Sequence, residues 1–227
     1  MTILLLGDIV GPSGRKAITE KLPDIIKKKK IDFVVLNGEN AGDMGVGITK
    51  KNFDEFLKAG ADVVTTGNHV WDEKETMEFI TSESRLLRPL NLVEGTPGNG
   101  YGIFVSKNKK KVAVINLMGN IFMKKCNDIF EEAKKIVKII QLKKNTDFVV
   151  VDIHGEITSE KMALGYFFDG KATLVVGTHT HVPTSDHMIL EKGTAYQTDV
   201  GMCGDYKSVI GMNRDNSLKK FLKDPSS

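Results

Sequence analysis

Short apolar runs alternate with amphipathic segments along most of the chain. The runs are rich in β-branched residues, which is typical of buried strands. The segments between them repeat apolar residues every three or four positions, which is typical of helices that pack on one face. This alternation predicts an α/β fold. The predicted strands are Thr2–Leu6, Phe33–Leu36, Val63–Thr65, Ile103–Val105, Val112–Ile115, Phe148–Val151 and Leu174–Val176.

The helices are predicted from their apolar faces and from residues that can cap a first turn. Ser13, Thr49 and Asp72 each precede such a segment and are the predicted N-caps. The remaining predicted elements are helices at Ile129–Ile140, near Ser159–Phe168 and near Asn216–Leu222, with short antiparallel strands beyond Ile189.

Length and composition place the chain among ordinary globular proteins. Its 227 residues favour one large domain, predicted to cover residues 1–227. Hydrophobic residues make up 41% and charged residues 27%, which excludes disordered, collagen-like and coiled-coil chains. No apolar stretch is long enough to predict a membrane-spanning helix. The N-terminal MTILLLGDIVG lacks a basic segment and is interpreted as a strand rather than a signal peptide.

The charge balance gives no sign of a nucleic-acid binder. The formal net charge is +3, and 28 of the 32 basic residues are lysines. Base and bidentate phosphate recognition favours arginine, so the lysine runs at 27–30 and 109–111 are interpreted as solvated surface. Cys126 and Cys203 form no zinc-binding or CxxC spacing, which favours free thiols and a cytoplasmic location.

Polar residues follow the predicted strands where each strand ends. The carboxyl ends of parallel strands meet at one edge of a sheet, where ligands bind. We therefore expect these side chains to converge on one rim. The segments concerned are Gly-Asp at 7–8, Asn-Gly-Glu-Asn at 37–40, Gly-Asn-His at 67–69, Asp-Ile-His-Gly-Glu at 152–156 and Gly-Thr-His-Thr-His at 177–181.

The histidines are concentrated in these segments. A single histidine is more often structural than a metal ligand. Four of the five histidines lie at strand ends beside carboxylates and Asn residues, which favours a metal site. The fifth, His187, is interpreted as a surface or supporting residue. The four are His69, His154, His179 and His181.

The donor types indicate which metals would suit the site. Oxygen and imidazole donors without thiolate suit iron, manganese or zinc. The candidates are too many for one ion, so two ions bridged by a carboxylate are expected, with Asp8 or Glu39 as the bridge. A turn is expected at His179 and His181 that lets each imidazole reach a different ion.

Seven segments resemble a known family. The segments GDIVG (7–11), NGENA (37–41), TGNHVWD (66–72), DIHGE (152–156) and GTHTHVPT (177–184) resemble motifs of the calcineurin-like metallophosphoesterases. The segments TDVGM (198–202) and VIGM (209–212) resemble more narrowly the YmdB branch, bacterial 2′,3′-cyclic-nucleotide 2′-phosphodiesterases. Val10 in the first motif and Glu39 at the bridging position also fit that branch. The similarity runs from residue 1 to about residue 214.

This resemblance implies a fold and a metal centre. The fold would be a four-layer α-β-β-α sandwich of two mixed sheets flanked by helices. The centre would hold two divalent or trivalent transition-metal ions, with iron favoured and manganese or zinc as alternatives. The implied ligands of the first ion are Asp8, Glu39, Asn40 and His181. Those of the second are Glu39, Asn68, His154 and His179, with Glu39 bridging and His69 as the general acid.

The resemblance also implies an activity. A hydroxide held between the ions would attack the phosphorus of a 2′,3′-cyclic nucleotide, and His69 would protonate the departing ribose oxygen to leave the 3′-phosphate. The alternatives are a phosphatase acting on phosphomonoesters, and a signalling protein that uses the metal site to bind a ligand. The expected partner is a cyclic nucleotide or another small phosphodiester, and the resemblance implies a homo-oligomer. Neither a membrane nor a stable nucleic-acid complex is expected.

Three further features stay open from the sequence. Trp71 could stack on a base or wall the pocket. Asp199 could support a ligand histidine or form a turn. The segment 42–47 is glycine-rich, but it lacks the Lys-Ser/Thr of a P-loop and is interpreted as a loop over the metals.

Overall fold

Two β-sheets lie face to face, and helices cover the outer face of each. In this computed structural model, which describes residues 1–223, the first sheet has four parallel strands in the order β1-β2-β3-β4. These strands are β1 (Ile3–Leu6), β2 (Phe33–Asn37), β3 (Val63–Thr65) and β4 (Leu86–Leu87).

The second sheet is mixed. Its strands are β5 (Tyr101–Val105), β6 (Lys111–Met118), β7 (Phe148–His154), β8 (Leu174–Thr178), β9 (Met188–Ile189) and β10 (Ala195–Gln197). The order across the sheet is β5-β6-β7-β8-β10-β9. The outer pairs β5/β6 and β9/β10 are antiparallel, whereas β6, β7, β8 and β10 run parallel.

Helices complete the sandwich. They are α1 (Gly11–Lys29), α2 (Lys50–Ala59), α3 (Thr76–Phe79), α4 (Ile129–Ile139), α5 (Thr158–Phe168) and α6 (Arg214–Leu222). Helices α1 and α2 pack on the first sheet, and α4 and α5 pack on the second. The predicted four-layer fold is confirmed, with the mixed strand directions confined to the second sheet among the described residues. Residues 224–227 of the predicted single domain lie outside the described part, and the domain count stays a prediction.

Side chains alternate between the two faces of each strand, so each strand contributes to two different parts of the core. In β2, Val34 and Leu36 face the helices, whereas Phe33 and Val35 face the second sheet. The layer between the sheets is apolar where the strands begin. It becomes polar where they end, because the same face then presents Asn37 on β2, Thr65 on β3, Asp152 and His154 on β7, and Thr178 on β8.

Two of the three predicted helix caps are wrong. Thr49 does cap α2, and its hydroxyl accepts the Asn52 N–H at 3.1 Å. Helix α1, however, begins at Gly11, two residues before Ser13, because a proline in the first turn has no N–H to satisfy. Asp72 lies in a turn ahead of α3, and its side chain binds His69 instead of a helix N-terminus.

The seven strands predicted with bounds are all present, and one further strand, β4, was not predicted. The short antiparallel pair predicted beyond Ile189 is formed by β9 and β10, but β9 ends at Ile189 and β10 also pairs in parallel with β8. Strand β4 has only two residues, too few to show a hydrophobic period. Within residues 1–223, no helix has both the length and the apolar character that crossing a lipid bilayer requires.

Candidate functional site

The carboxyl ends of strands from both sheets meet at one edge of the sandwich. Every site residue predicted from the sequence lies there and contacts at least one other member of the set. The rim is therefore built by two sheets, with β1, β2 and β3 on one side and β7 and β8 on the other. The residues brought together are Asp8, Glu39, Asn40, Asn68, His69, His154, His179 and His181.

Three atoms that could bind a metal ion surround the Nε2 atom of His154. The Asn68 Oδ1 atom lies 3.0 Å from it, Glu39 Oε1 lies 3.1 Å away, and His179 Nδ1 lies 3.1 Å away. Two ligands bound at right angles by bonds of about 2.1 Å are about 3.0 Å apart. Each of these three separations is close to the distance expected between two ligands of one ion.

A second group forms around His181. Its Nε2 atom lies 3.3 Å from Asn40 Oδ1 and 3.9 Å from Asp8 Oδ1. Its Nδ1 atom lies 2.8 Å from the carbonyl oxygen of Ile210. A carbonyl can only accept, so Nδ1 carries a proton and donates it to Ile210, and Nε2 is the ring atom that faces Asn40 and Asp8.

Each of the two central carboxylates has an oxygen without a hydrogen-bond partner. Asp8 and Glu39 are both 0% exposed, and none of residues 1–223 donates a hydrogen bond to Asp8 Oδ1 or Glu39 Oε2. Burying such an oxygen without compensation is costly. A cation between the two groups would supply that compensation, so the residues fit a metal centre.

The donor set is chemically mixed. Within residues 1–223, no three His, Cys, Asp or Glu side chains enclose a common point as metal ligands would. Each of the two groups described above includes the side-chain oxygen of an Asn residue. The potential metal ligands within each group contact one another directly. A set of carboxylate, amide and imidazole donors suits iron, manganese or zinc.

The turn after β3 approaches the donors closely. A Cβ atom on Gly67 would lie 1.8 Å from Glu39 Oε2 and 2.2 Å from His154 Cδ2. Only glycine therefore lets this turn bring Asn68 and His69 against Glu39.

The ionisation of the site reflects burial opposed by charge pairing. Burial raises the pKa of Asp8 to about 6. Burial alone would lower the pKa of His154, but the Glu39, Asp8 and Asp152 carboxylates together outweigh it and the pKa rises to about 9. Burial alone would raise the pKa of Glu39, yet His154 and His69 together hold it below its usual value. Metal-free protein therefore keeps a proton on His154, which an ion would displace.

His69 is oriented by its own turn. Its backbone N–H donates to Glu39 Oε1 at 3.0 Å, and its Nδ1 lies 2.6 Å from Asp72 Oδ2. Burial would raise the pKa of Asp72, but the hydrogen bonds and charges of His69 and Lys124 together outweigh it, and the pKa is lowered. The Asp72 carboxylate therefore stays ionised and holds the Nδ1 proton, which leaves the Nε2 atom of His69 free for another partner. Asp72 also accepts a hydrogen bond from Lys124 at 3.0 Å.

A cavity of about 320 Å³ opens over the donors. The glycine-rich loop contributes Gly45 and Val46 to its wall, in agreement with the predicted loop over the site. Ile210 and Met212 extend this apolar side, and five predicted site residues form the polar side, namely Glu39, Asn40, His69, His179 and His181.

The structure places three residues whose roles the sequence did not decide. Trp71 lines a neighbouring cavity of about 210 Å³ together with Asn68, and it packs against the core under the first sheet. His187 is exposed beside β9. Asp199 is buried and accepts hydrogen bonds from Thr180 and Lys161.

Sequence reasoning missed the residues that support the donors. The Nδ1 atom of His154 lies 3.0 Å from the Thr178 hydroxyl, which in turn donates to Asp152 at 2.8 Å. The Nε2 atom of His179 lies 3.2 Å from Glu156 Oε2. Asp152 and Glu156 belong to a recognised motif, but nothing in the linear pattern shows what they touch. The sequence did hold one signal for Lys161, because it is a single lysine on the apolar face of a predicted helix.

Comparison with known proteins identifies the family. The sequence model of the family described as "YmdB-like protein" matches residues 4–227. A 2′,3′-cyclic-nucleotide 2′-phosphodiesterase of Bacillus subtilis (strain 168) is 47% identical over 221 residues, which are 97% of this chain and 82% of that protein. The chain belongs to the YmdB-like family.

Solved structures agree with this membership in the YmdB-like family. A hypothetical protein from Thermus thermophilus matches with a TM-score of 0.89 and 40% identity, over 98% of this chain and 84% of that one. A novel phosphatase of Mycoplasma pneumoniae matches with a TM-score of 0.87 and 38% identity, over 96% of this chain and 78% of that one. The predicted family is confirmed, and the predicted enzyme class agrees with the Bacillus subtilis relative.

We expect metal-free protein to lose thermal stability as the pH rises from about 6.5 to 9. The folded-state pKa of His154 lies above its unfolded value, so the folded state binds more protons across this window. Scanning calorimetry of chelator-treated protein would measure the slope, which His154→Gln should flatten. His187→Gln, at an exposed imidazole, is the matched control and should keep the slope. A melting temperature that rises across this window would contradict the assignment.

Proposed function

We propose that this chain is a metal-dependent phosphodiesterase that hydrolyses 2′,3′-cyclic nucleotides to nucleoside 3′-phosphates. One observation carries the proposal: two groups of potential metal ligands meet around two buried carboxylates, each with one oxygen that has no hydrogen-bond partner among the described residues. The name of the Bacillus subtilis relative supports the choice of substrate.

Asp8, Asn40 and His181 would hold the first ion, and Asn68, His154 and His179 would hold the second. Glu39 would bridge the two, because its Oε1 atom lies with the second group while its Oε2 atom is buried and accepts no hydrogen bond from residues 1–223. Iron is the favoured metal, with manganese or zinc as alternatives. Two ions held there would polarise a phosphoryl oxygen and lower the pKa of a water nucleophile.

His69 supplies the proton in this proposal. Its Nδ1–H is held by Asp72, so its Nε2 atom can carry a proton towards the cavity. The leaving group is the ribose 2′-oxygen, a poor leaving group that needs protonation as the bond to phosphorus breaks. The backbone bond from His69 to Glu39 fixes the distance between this acid and the proposed metal centre.

The cavity fits a nucleotide better than inorganic phosphate. Its volume of about 320 Å³ lies at the lower end of the range for small-molecule sites. The polar side would face the cyclic phosphate, and Val46, Ile210 and Met212 offer an apolar surface to the nucleoside. A second candidate, a phosphatase acting on phosphomonoesters, is favoured by the name of the Mycoplasma pneumoniae structure.

The proposal includes a cytoplasmic homo-oligomer. The free Cys126 and Cys203 suit a reducing compartment. Exposed apolar side chains of α6, Leu218, Phe221 and Leu222, are consistent with association between chains.

A substrate panel distinguishes the two candidate functions. Protein reconstituted with Fe²⁺ or Mn²⁺ should convert 2′,3′-cyclic nucleotides to 3′-phosphates, as followed by chromatography against both phosphate isomers. Chelator-treated protein is the control and should be inactive. Exclusive hydrolysis of phosphomonoesters would favour the phosphatase instead. Binding of a cyclic nucleotide without turnover by metal-loaded protein would favour the signalling alternative.

The bridging role of Glu39 predicts unequal effects of two carboxylate substitutions. Glu39→Gln removes a charge that both ions share, so metal content should fall at both positions. Asp8→Asn should mainly empty the first position, because Asp8 Oδ1 lies 3.9 Å from His181 Nε2, whereas it approaches His154 at Nδ1 (3.7 Å), away from the group around Nε2. Elemental analysis of the two variants beside wild type gives the ion count. Two ions retained by Glu39→Gln would show that Glu39 is not the bridge.

The proton-donor role of His69 predicts dependence on the leaving group. His69→Gln should slow hydrolysis of a 2′,3′-cyclic nucleotide by about 10²–10⁴-fold while metal content stays normal. The loss on bis-nitrophenyl phosphate should be much smaller, because nitrophenolate leaves without a proton. His187→Gln serves as the control. Equal losses on both substrates would assign His69 to charge stabilisation, and loss of an ion would make it a ligand.

A further inference from the structure

A fully buried ion pair lies beneath the turn that carries His179 and His181. The Nζ atom of Lys161 is 3.0 Å from Asp199 Oδ2, and both side chains are 1% exposed. We propose that Lys161 and Asp199 are positioning residues that hold this turn so that the two imidazoles can bind metal. The inference rests on the proposed metal centre.

Asp199 holds the residue between the two histidines. Its Oδ2 atom accepts the Thr180 N–H at 3.2 Å and the Thr180 hydroxyl at 2.9 Å. Its other oxygen accepts the Gly201 N–H at 2.9 Å. With Lys161, the carboxylate therefore has four donors, and two of them belong to Thr180.

Lys161 holds the start of the same turn. Besides Asp199, its Nζ atom donates to the carbonyl oxygen of Thr178 at 3.3 Å. The Thr178 hydroxyl contacts His154, so this residue supports donors on both β7 and the turn. The pair thus fixes the backbone on either side of His179.

The turn needs external support because its backbone is strained. The φ angles of His179 and His181 are 100° and 65°, in the left-handed region that residues with a side chain rarely adopt. This conformation directs His179 Nδ1 towards His154 and His181 Nε2 towards Asn40. In an extended backbone, residues two apart point to the same face, so this turn is what directs the two imidazoles to different partners.

The position of Lys161 argues against a role in packing alone. It lies at the start of the buried face of α5, which continues with Leu164 and Phe168. An apolar side chain would fill that position without the cost of burying a charge. What the charged pair adds is a set of directed bonds to Thr178 and Thr180.

The test measures metal affinity rather than activity alone. In the full chain, Lys161→Met keeps most of the volume but removes the cation, and Asp199→Asn removes the anion. Calorimetric titration with Mn²⁺, at a temperature where circular dichroism shows each variant folded, should give affinity about 10- to 100-fold weaker than wild type. Lys171→Met, at an exposed lysine just beyond α5, is the matched control and should bind as wild type does.

The outcomes separate this inference from the proposed function. Wild type that binds no Mn²⁺ would contradict the metal centre itself. Wild type that binds two ions, with Lys161→Met binding them equally well, would overturn the positioning role alone, even if the variant melted at a lower temperature. Where Lys161→Met does not fold, Thr180→Val removes one bond to Asp199 and leaves the pair intact. It should still weaken Mn²⁺ binding several-fold, and unchanged affinity would overturn the inference.

Discussion

Two carboxylates, Asp8 and Glu39, are withdrawn from water where the two sheets meet, and the surrounding residues are arranged to compensate that charge. Both side chains are 0% exposed, and each keeps one oxygen without a hydrogen-bond partner. An isolated buried carboxylate is strongly disfavoured, so it must be neutralised, paired or bound to a cation. The imidazoles of His154 and His181 lie close enough to these carboxylates to give them a proton, to pair with them when charged, or to bind the same cation.

The fold meets this requirement through one layer of the sandwich. The space between the sheets is apolar at one end, where Val35, Val63 and Val150 pack together. At the other end, the same strand faces carry groups that hydrogen-bond across the gap. Asp152 on β7 accepts from Thr65 at 2.6 Å and from Asn37 at 3.0 Å, which ties the second sheet to the first directly beneath the donors. The apolar part of this layer holds the two sheets together, and the polar part fixes the position of one sheet relative to the other at the site.

Much of this could be predicted from the sequence, because strands and their carboxyl ends leave a local pattern. Residues such as Asp8 and Asn68 follow apolar runs directly, so their convergence follows from parallel strand topology. Lys161 and Glu156 could not be placed, since their partners lie across the fold and no linear pattern joins them. Asp72 shows a different limit of prediction from the sequence. An Asp before a helix can cap it or bind a neighbouring side chain, and the nearby His69 decided the outcome.

We propose that the ligand atoms around Asp8 and Glu39 hold two transition-metal ions. Anomalous X-ray diffraction from crystals of the full chain grown with Fe²⁺ or Mn²⁺, recorded on both sides of the metal absorption edge, would locate such ions. We expect two anomalous peaks about 3.5–4 Å apart, with Glu39 between them and His154 and His181 on opposite sides. Absence of anomalous density at this edge of the sandwich, or density confined to another part of the molecule, would rule out the metal centre.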